Sequence, residues 1–374
     1  MLPAEINLAD LPLRPELRGQ KPYGAPQLDV AVRLNVNENP YPPTPAVVEA
    51  MAQAARRAAA GLNRYPDREA TRLRSKLARY LGHGLLFDQV WAANGSNEIM
   101  IQLLQAFGGP GRRMLSFTPT YSMYPEYARD SHTELVTVPR RADFTIDLPA
   151  AWEAIDSLKP DVIVVATPNN PTGTSTPIGV VERLCRASAG VVVVDEAYQE
   201  FSRTPENTCL RLLDHYGNLV VTRTMSKAFA LAGGRVGYAA ASRAVVEALR
   251  LVRLPYHLSA VTQAVAEAAL DQSGELLAGV ERLRQIRDDS ILQLRQQGCA
   301  VIDSDANFCL FGRFRDRRAV WQGLLDRGVL VRQVGPTGFL RVSTGASQEM
   351  EQFHAALADL LSQDPELLSP ERSL

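Results

Sequence analysis

One lysine near the middle of the chain lies among residues suited to binding an anion. The segment 222–237 has the sequence TRTMSKAFALAGGRVG, and Lys227 is its only lysine. Thr224 and Ser226 precede it closely, and Arg235 follows beside two glycines. A lysine amine that is desolvated or close to other cations has a lowered pKa and attacks carbonyl groups. The segment therefore indicates a carbonyl-bearing cofactor with its phosphate near the hydroxyls and the arginine, although a solvated lysine and a helix cap are ordinary alternatives.

A second candidate is the carboxylate that follows a run of four valines. Residues 191–194 predict a buried strand, and Asp195 comes directly after it. Burial raises the pKa of a carboxylate unless a cation lies beside it, and a protonated aromatic nitrogen would be such a cation. Tyr198 follows three residues later and is placed to reach a ring oxygen of the same ligand. Capping of the next helix by Asp195 is the alternative.

Three further loops follow predicted strands. In residues 93–98, ANGSNE, a glycine turn leads into a helix, so that Ser96 and Asn97 are placed to bind phosphate or, alternatively, only to cap the helix. In 118–124, TPTYSMY, the ring of Tyr121 is suited to stacking on a flat ligand or to simple packing.

The third loop is 166–173, ATPNNPTG. Two prolines and a glycine restrict its backbone, which would hold Asn170 as a rigid donor, and a tight loop without further role is the alternative.

Together these loops supply what pyridoxal 5′-phosphate requires. Lys227 would bind the aldehyde, Asp195 would hold the charge of the ring nitrogen, and Tyr121 would cover the ring face. The other predicted cofactor contacts are Asn170 and Tyr198 at the ring oxygen, and Ser96, Asn97, Thr224, Ser226 and Arg235 at the phosphate.

The elements that position these residues have the pattern of an α/β fold. From residue 90, short apolar runs alternate with helix-period segments, which predicts a mostly parallel sheet of about seven strands sandwiched by helices. The predicted strands are 90–93, 114–117, 135–138, 162–166, 191–194, 219–222 and 236–239. Beyond residue 255 we expect helices over 259–270 and 275–297 and then a smaller α+β domain. The predicted divisions are an N-terminal arm over 1–40 that packs on the small domain and the active site, a large cofactor-binding domain over 41–255 and a small domain over 256–374.

Composition narrows the classes of function. Forty basic and 41 acidic side chains give a net charge of −1 without a basic stripe, which disfavours nucleic acid and anionic membranes as partners. The four cysteines and five histidines show no metal-ligand spacing, so that no metal is predicted. The start of the chain lacks the pattern of a secretory signal, and we expect a cytoplasmic enzyme with reduced thiols.

With these motifs in view, the chain resembles the fold-type I pyridoxal-phosphate aminotransferases, and within them the histidinol-phosphate aminotransferases. The segments that carry the resemblance are LNVNENPYPP, NRYPDR, ANGSNE, TPTYSMY, TPNNPTG, VVVVDEAYQEF, RTMSKAFALAGGRVGY, GVLVRQ and LRVSTG. The resemblance implies that Lys227 is the Schiff-base lysine, Asp195 the partner of the ring nitrogen and Tyr121 the stacking ring.

The resemblance also implies contacts outside these loops. Tyr65 would bind the cofactor phosphate of the other subunit, which implies a homodimer with shared sites. Arg341 would bind the acidic group of the substrate, with Arg332, Tyr23 and Asn37 as further substrate-binding residues.

The implied reaction moves an amino group between L-histidinol phosphate and 2-oxoglutarate, giving imidazole-acetol phosphate and L-glutamate in histidine biosynthesis. Lys227 would act as general base between the substrate α-carbon and the C4′ carbon of the cofactor. An aromatic amino acid aminotransferase on the same scaffold is the nearest alternative, because imidazole and phenyl pockets differ by few contacts. A non-catalytic pyridoxal-phosphate-binding regulator, or a decarboxylase or β-lyase that uses the same cofactor, are more remote alternatives.

Overall fold

Runs of aliphatic and β-branched residues form a seven-stranded sheet in the computed structural model, which describes residues 6–369. The strands of this part of the chain are β1 (Val32–Arg33), β2 (Val90–Ala93), β3 (Arg113–Thr118), β4 (Glu134–Pro139), β5 (Val162–Ala166), β6 (Val191–Asp195), β7 (Leu219–Thr224), β8 (Gly237–Ala241), β9 (Ala300–Val301), β10 (Phe308–Gly312), β11 (Val329–Leu330) and β12 (Phe339–Ser343). The large sheet has the order β2-β8-β7-β6-β5-β3-β4. Strand β8 is antiparallel to both β2 and β7, and the other neighbouring pairs are parallel. The predicted mostly parallel sheet is confirmed.

Helices cover both faces of this sheet. The α-helices of residues 6–369 are α1 (Pro45–Ala59), α2 (Thr71–Leu81), α3 (Ser96–Phe107), α4 (Tyr124–Asp130), α5 (Leu148–Leu158), α6 (Ile178–Ala187), α7 (Arg243–Val252), α8 (Ala260–Asp271), α9 (Ser273–Leu277), α10 (Val280–Gln296), α11 (Arg317–Asp326) and α12 (Ser347–Gln363). Because side chains alternate along a strand, Val192 and Val194 pack with α2, α5, α6 and α8, while Val193 packs on the opposite face with α3, α4 and α7. A strand buried on both faces has no polar alternation, which explains the four consecutive valines of β6.

A second core forms from the C-terminal part of the chain. Strand β10 pairs antiparallel with β9 and β12, and β1 pairs in parallel with β11. Val32 and Leu34, from the N-terminal segment, are buried in the same core as helices α10, α11 and α12. The proline-rich segment before residue 40 is therefore attached to this second core through β1.

The structure corrects one feature expected beyond residue 255. The single helix predicted over 275–297 is wrong, since the helical segment breaks between α9 and α10 at residues 278 and 279. Gly279 has low helix propensity and lies at this break. Leu258, Ala266 and Ala269 pack into the core of the seven-stranded sheet, so that helix α8 belongs with the large sheet although it follows the predicted boundary. The division into domains stays a prediction.

In the part of the chain that the structure describes, no helix is both long and apolar enough to span a lipid bilayer.

Candidate active site

The loops at the carboxyl ends of β3, β5, β6 and β7 surround one cavity of about 550 Å³. Carboxyl ends of parallel strands meet at the same edge of a sheet, which is where open α/β sheets bind ligands. The predicted site residues on the cavity wall are Tyr23, Asn37, Ser96, Asn97, Tyr121, Asn170, Asp195, Tyr198, Thr224, Ser226, Lys227, Arg235, Arg332 and Arg341. Tyr65 is the one predicted site residue that does not line this cavity.

Asp195 is a buried carboxylate at the end of β6. Tyr124 donates a hydrogen bond from its hydroxyl to Asp195 Oδ2 at 3.1 Å, and Thr222 donates to Oδ1 at 3.4 Å. Burial raises the pKa of Asp195, and these hydrogen bonds oppose the rise. None of the ion pairs within residues 6–369 includes Asp195. A buried carboxylate without a protein cation is suited to a positively charged group of a ligand.

Lys227 lies in the loop after β7 and is half-buried. Its Nζ donates to the carbonyl oxygen of Val36 at 3.0 Å. Burial, together with the positive charges of Arg341 and Arg235, lowers the pKa of Lys227 to about 8, and Glu38 opposes the shift. The neutral, nucleophilic fraction of the amine near neutral pH is therefore much larger than that of an ordinary lysine.

A group of hydroxyls and a guanidinium lies at one end of the cavity. Arg235 Nη1 donates to Ser226 Oγ at 3.1 Å, and Thr224 Oγ1 donates to the same oxygen at 3.0 Å. Ser96 and Asn97, in the first turn of α3, line the same cavity. The N-terminus of a helix together with a guanidinium and hydroxyls makes a site for a phosphate group.

Two glycines allow this close packing. A Cβ atom on Gly95 would lie 2.5 Å from Arg235 Nη2, and Gly95 has a φ of +86°. A Cβ atom on Gly237 would clash with the backbone of Gly95 and Ser96. The turn before α3 therefore fits against β8 and beneath the Arg235 side chain only because both positions lack a side chain.

A hydrogen-bonded network links the TPNNPTG loop to the second core. Tyr198 accepts hydrogen bonds at its hydroxyl from Asn37 Nδ2 at 3.0 Å and from Asn170 Nδ2 at 3.3 Å. Arg341 donates from Nη1 to Asn170 Oδ1 at 2.7 Å and from Nη2 to the Asn35 carbonyl at 2.8 Å. These contacts bring residues from four distant parts of the chain to one side of the cavity.

One N–H group of the Arg341 guanidinium makes no hydrogen bond in this network. Its Nε is buried and has no hydrogen-bond partner within residues 6–369. Burial lowers the pKa of Arg341 to about 10, and the positive charge of Arg332 acts in the same direction. A buried guanidinium without a carboxylate partner is suited to an anionic ligand.

The outer wall of the cavity is formed by the N-terminal segment. Tyr23 shares a hydrogen bond with Ser122 at 2.6 Å between their hydroxyl oxygens. The guanidinium of Arg332 donates to the Gly24 carbonyl at 3.4 Å, and the Arg332 and Arg341 backbones pair with each other. The segment around residue 23 thus covers the cavity beside both arginines.

Tyr65 lies on the surface of the chain, where its side chain is 80% exposed. Its ring stacks on that of Tyr256, with the centroids 4.4 Å apart. The single chain therefore holds Tyr65 away from its own cavity.

Sequence reasoning missed two groups that support the site. Tyr124 ends the TPTYSMY loop without an assigned role in the sequence prediction, and its hydroxyl contacts Asp195. Arg223 is buried on the opposite face of the sheet, 2.8 Å from Glu196 and 3.4 Å from Glu200. Side chains alternate along β6 and β7, so that the residues next to Asp195 and Thr222 lie on the opposite face of the sheet. This alternation is a signal that could have identified the Arg223 and Glu196 pair.

The chain is similar to known proteins over nearly all of its length. The family model described as aminotransferase class I and II matches residues 29–360. The chain is 60% identical to a histidinol-phosphate aminotransferase of Thermobifida fusca, with 94% of this chain and 96% of that protein covered. It is 56% identical to histidinol-phosphate aminotransferase 3 of Burkholderia lata, with 96% and 98% covered.

Solved structures agree with this assignment. The crystal structure of histidinol-phosphate aminotransferase from Sinorhizobium meliloti in complex with pyridoxal-5′-phosphate matches with a TM-score of 0.81 and 27% identity, covering 89% of this chain and 92% of that one. The cavity at the carboxyl edge of the sheet thus lies in a fold whose solved relative binds this cofactor. The chain belongs to the class I and II aminotransferases.

Proposed function

We propose that this aminotransferase transfers the amino group of L-histidinol phosphate to 2-oxoglutarate, with pyridoxal 5′-phosphate as its cofactor. The observation that carries the proposal is that one cavity is lined by a lysine with a lowered pKa, a buried carboxylate without a protein cation and a buried arginine with unused capacity. Relatives at 50–60% identity that carry the name histidinol-phosphate aminotransferase support this substrate.

The donor set of the cavity fits the cofactor. Asp195 is suited to a protonated ring nitrogen, because its buried carboxylate has no cationic partner in the described chain. Asn170 and Tyr198 offer groups for the ring oxygen. Arg235, Ser226 and the first turn of α3 form a cradle that suits the phosphate, and the clash that a Cβ at Gly95 would cause marks how closely that cradle is built.

When bound, pyridoxal phosphate supplies an aldehyde that reacts with amines and a ring that accepts electrons from the substrate's α-carbon. Asp195 holds the proton on the ring nitrogen, which keeps the ring electron-poor. Lys227 takes the proton from the α-carbon of the substrate, and its lowered pKa matches this task near neutral pH. The Tyr121 side chain lines the cavity and would restrict the position of the cofactor ring.

Arg341 and Arg332 account for the choice of acidic substrates. Both lie at the end of the cavity covered by the segment around Tyr23, and both are unpaired with any carboxylate within residues 6–369. A planar guanidinium binds a phosphate or a carboxylate with two parallel hydrogen bonds. The same pair of arginines can therefore bind histidinol phosphate and then 2-oxoglutarate.

Amine exchange tests the function directly. We expect histidinol phosphate to remove the visible absorbance of the bound cofactor and 2-oxoglutarate to restore it. Phenylalanine, offered as a competing amino donor, distinguishes the aromatic aminotransferase. Lys227→Ala is the control, and borohydride treatment followed by mass spectrometry should attach the cofactor to residue 227 only in the unaltered protein. A variant without Lys227 that still turns over at the normal rate would contradict the proposal.

We propose further that the enzyme is a homodimer in which Tyr65 binds the cofactor phosphate of the neighbouring site. Tyr65 is remote from its own cavity, and two apolar side chains close to Tyr256 in sequence are also exposed, Leu251 at 87% and Leu254 at 73%. Burial of such side chains favours association.

Mixed dimers test this arrangement. A subunit with Lys227→Ala and a subunit with Tyr65→Ala each lack one part of the site. Their mixed dimer would contain one complete site, and we expect it to recover activity that neither parent has. Mixed dimers that form but remain as inactive as the parents would rule out sharing.

A cytoplasmic location remains part of the proposal, in keeping with a role in amino-acid biosynthesis.

A further inference from the structure

The turn between β2 and α3 is held from two sides by groups already described. The backbone of β8 at Gly237 packs against Gly95 and Ser96, and the Arg235 side chain covers Gly95. Ser96 and Asn97, which follow in this turn, line the cavity where the cofactor phosphate is proposed to bind. The remaining side of the turn is closed by a carboxylate.

Glu98 makes this third contact from the first turn of α3. Its Oε2 accepts a hydrogen bond from the Asn94 backbone N–H at 2.5 Å and another from Asn94 Nδ2 at 2.8 Å. Asn94 Nδ2 also donates to the carbonyl oxygen of His257 at 2.8 Å. The contact therefore encloses residues 95–97 and connects them to the segment after α7.

The negative charge of the Glu98 carboxylate does not favour binding of a phosphate. A carboxylate in the first turn of a helix interacts well with the helix dipole, but a phosphate nearby would be repelled by it. Glu98 is half-buried and does not line the cavity. Its hydrogen bonds to Asn94, rather than its charge, are then what it contributes to the site.

We propose that Glu98 is a positioning residue, which closes the turn 94–98 and thereby keeps Ser96 and Asn97 on the cavity wall to receive the cofactor phosphate. This inference rests on the proposed function, because it presupposes that the cavity binds a phosphate there.

Two substitutions separate the effect of the Glu98 hydrogen bonds on the turn from the effect of the Glu98 charge. Glu98→Gln keeps a carbonyl oxygen that can accept from both groups of Asn94 and removes the negative charge. Glu98→Ala removes the acceptor as well. We expect Glu98→Gln to bind pyridoxal phosphate and inorganic phosphate within about twofold of the unaltered protein, or more tightly, because the acceptor remains and the repulsion is gone. We expect Glu98→Ala to bind both about tenfold more weakly, since it loses both hydrogen bonds that close the turn.

The chain offers a matched control on another helix. Glu349 is also half-buried in the first turn of its helix, α12, and its Oε2 accepts from the Ala346 backbone N–H at 2.7 Å. It does not line the cavity. We expect Glu349→Ala to lower the melting temperature while both dissociation constants stay unchanged.

The measurement is calorimetric titration of the full chain, freed of cofactor, with pyridoxal phosphate and separately with inorganic phosphate. Asn94→Ala, which loses the amide contacts to Glu98 and His257, serves as a second variant if Glu98→Ala does not fold, and we expect it to weaken both ligands. Equal affinities in the unaltered protein and in the folded alanine variant would overturn the inference. So would a Glu98→Gln protein that is as weak as Glu98→Ala.

These outcomes are distinct from failure of the proposed function. If the unaltered chain bound pyridoxal phosphate and transferred amino groups while Glu98→Ala did the same, only the role of Glu98 would be refuted. If the unaltered chain bound no pyridoxal phosphate, the proposed function and this inference would both be overturned.

Discussion

Tyr124→Phe tests whether the proton affinity of Asp195 is set by its buried neighbours. Tyr124 is 1% exposed and donates to Asp195 Oδ2 at 3.1 Å. The substitution removes one oxygen and leaves the ring, whose edge contact with Tyr121 at 5.6 Å is unaffected. The carboxylate then retains the weaker contact from Thr222 and a hydrogen bond from the Ala197 backbone.

The expected change in the pKa of Asp195 follows from the free energy of the lost hydrogen bond. A hydrogen bond to a charged group contributes about 1.5–3 kcal/mol, and about 1.4 kcal/mol corresponds to one pKa unit. Burial already raises the pKa of Asp195, and loss of the Tyr124 hydrogen bond raises it further. We therefore expect the pKa of Asp195 to rise further in Tyr124→Phe, by a free energy equal to that of the lost hydrogen bond.

The assay is the affinity of the cofactor-free protein for pyridoxal phosphate, measured from acidic to alkaline pH over the range in which the protein stays folded. A raised pKa means that more of Asp195 is protonated at a given acidic pH, so that the affinity of Tyr124→Phe should fall off at a higher pH than that of the unaltered protein. At alkaline pH the two affinities should converge. Because the cofactor's own ionisations are common to both proteins, the difference reports on Asp195.

Tyr127→Phe is the matched control. Its ring neighbours Tyr124 in the same helix, and its hydroxyl is not among the groups hydrogen-bonded to Asp195 within residues 6–369. The reasoning would be refuted if the pH below which the affinity falls did not rise in Tyr124→Phe. It would also be refuted if that pH rose equally in Tyr127→Phe.

Three further predictions concern the amine, the substrate arginine and the ion pair behind the sheet. Because the pKa of Lys227 is lowered to about 8 and only the neutral amine attacks, the rate of covalent capture of pyridoxal phosphate should rise with pH around a midpoint near 8, as followed by stopped-flow absorbance. Arg341→Gln should lower kcat/KM for histidinol phosphate and for 2-oxoglutarate by about a hundredfold, because a buried charge partner is worth a few kcal/mol, as measured by steady-state kinetics with each substrate. Arg223→Gln should reduce the free energy of unfolding by about 3–5 kcal/mol, because it leaves Glu196 and Glu200 buried without a cation. Chemical denaturation should find a smaller loss of stability at acidic pH, since burial raises the pKa of Glu200 and the penalty for its unpaired charge disappears as it takes up a proton.

Each of these has a clear contrary outcome. A capture rate with its midpoint near the ordinary lysine pKa would mean that the amine is not desolvated. Unchanged kinetic constants for both acidic substrates would remove Arg341 from the substrate site. A loss of stability in the Arg223 variant that does not vary with pH would show that unpaired carboxylates are not its cause.

The sequence alone was sufficient to place most of the candidate site because the fold follows a simple rule. Each strand of the large sheet is a short apolar run, and the polar residues directly after β3, β5, β6 and β7 must meet at one edge when those strands are parallel. Asp195 at the end of four valines and Asn170 between two prolines could therefore be assigned to one cavity before its shape was known. Tyr121 and Lys227 follow from the same rule.

Tertiary structure decided what depends on contacts between distant segments. Strand β8 runs antiparallel within the sheet, which no local pattern indicates, and its Gly237 is what allows the turn at Gly95 to approach. The contacts of Tyr124 with Asp195 and of Arg341 with Asn170 join residues 71 and 171 positions apart.

The reason for this division is physical. Hydrophobic periodicity and turn-forming residues reflect local backbone geometry. They therefore predict the helices and strands and the residues at which these end. Hydrogen-bond partners, burial and the resulting pKa values depend on which elements become neighbours. The sequence therefore determined which side chains reach the carboxyl edge of the sheet, and only the packed structure determined which charged groups among them lie without an oppositely charged partner in the described chain.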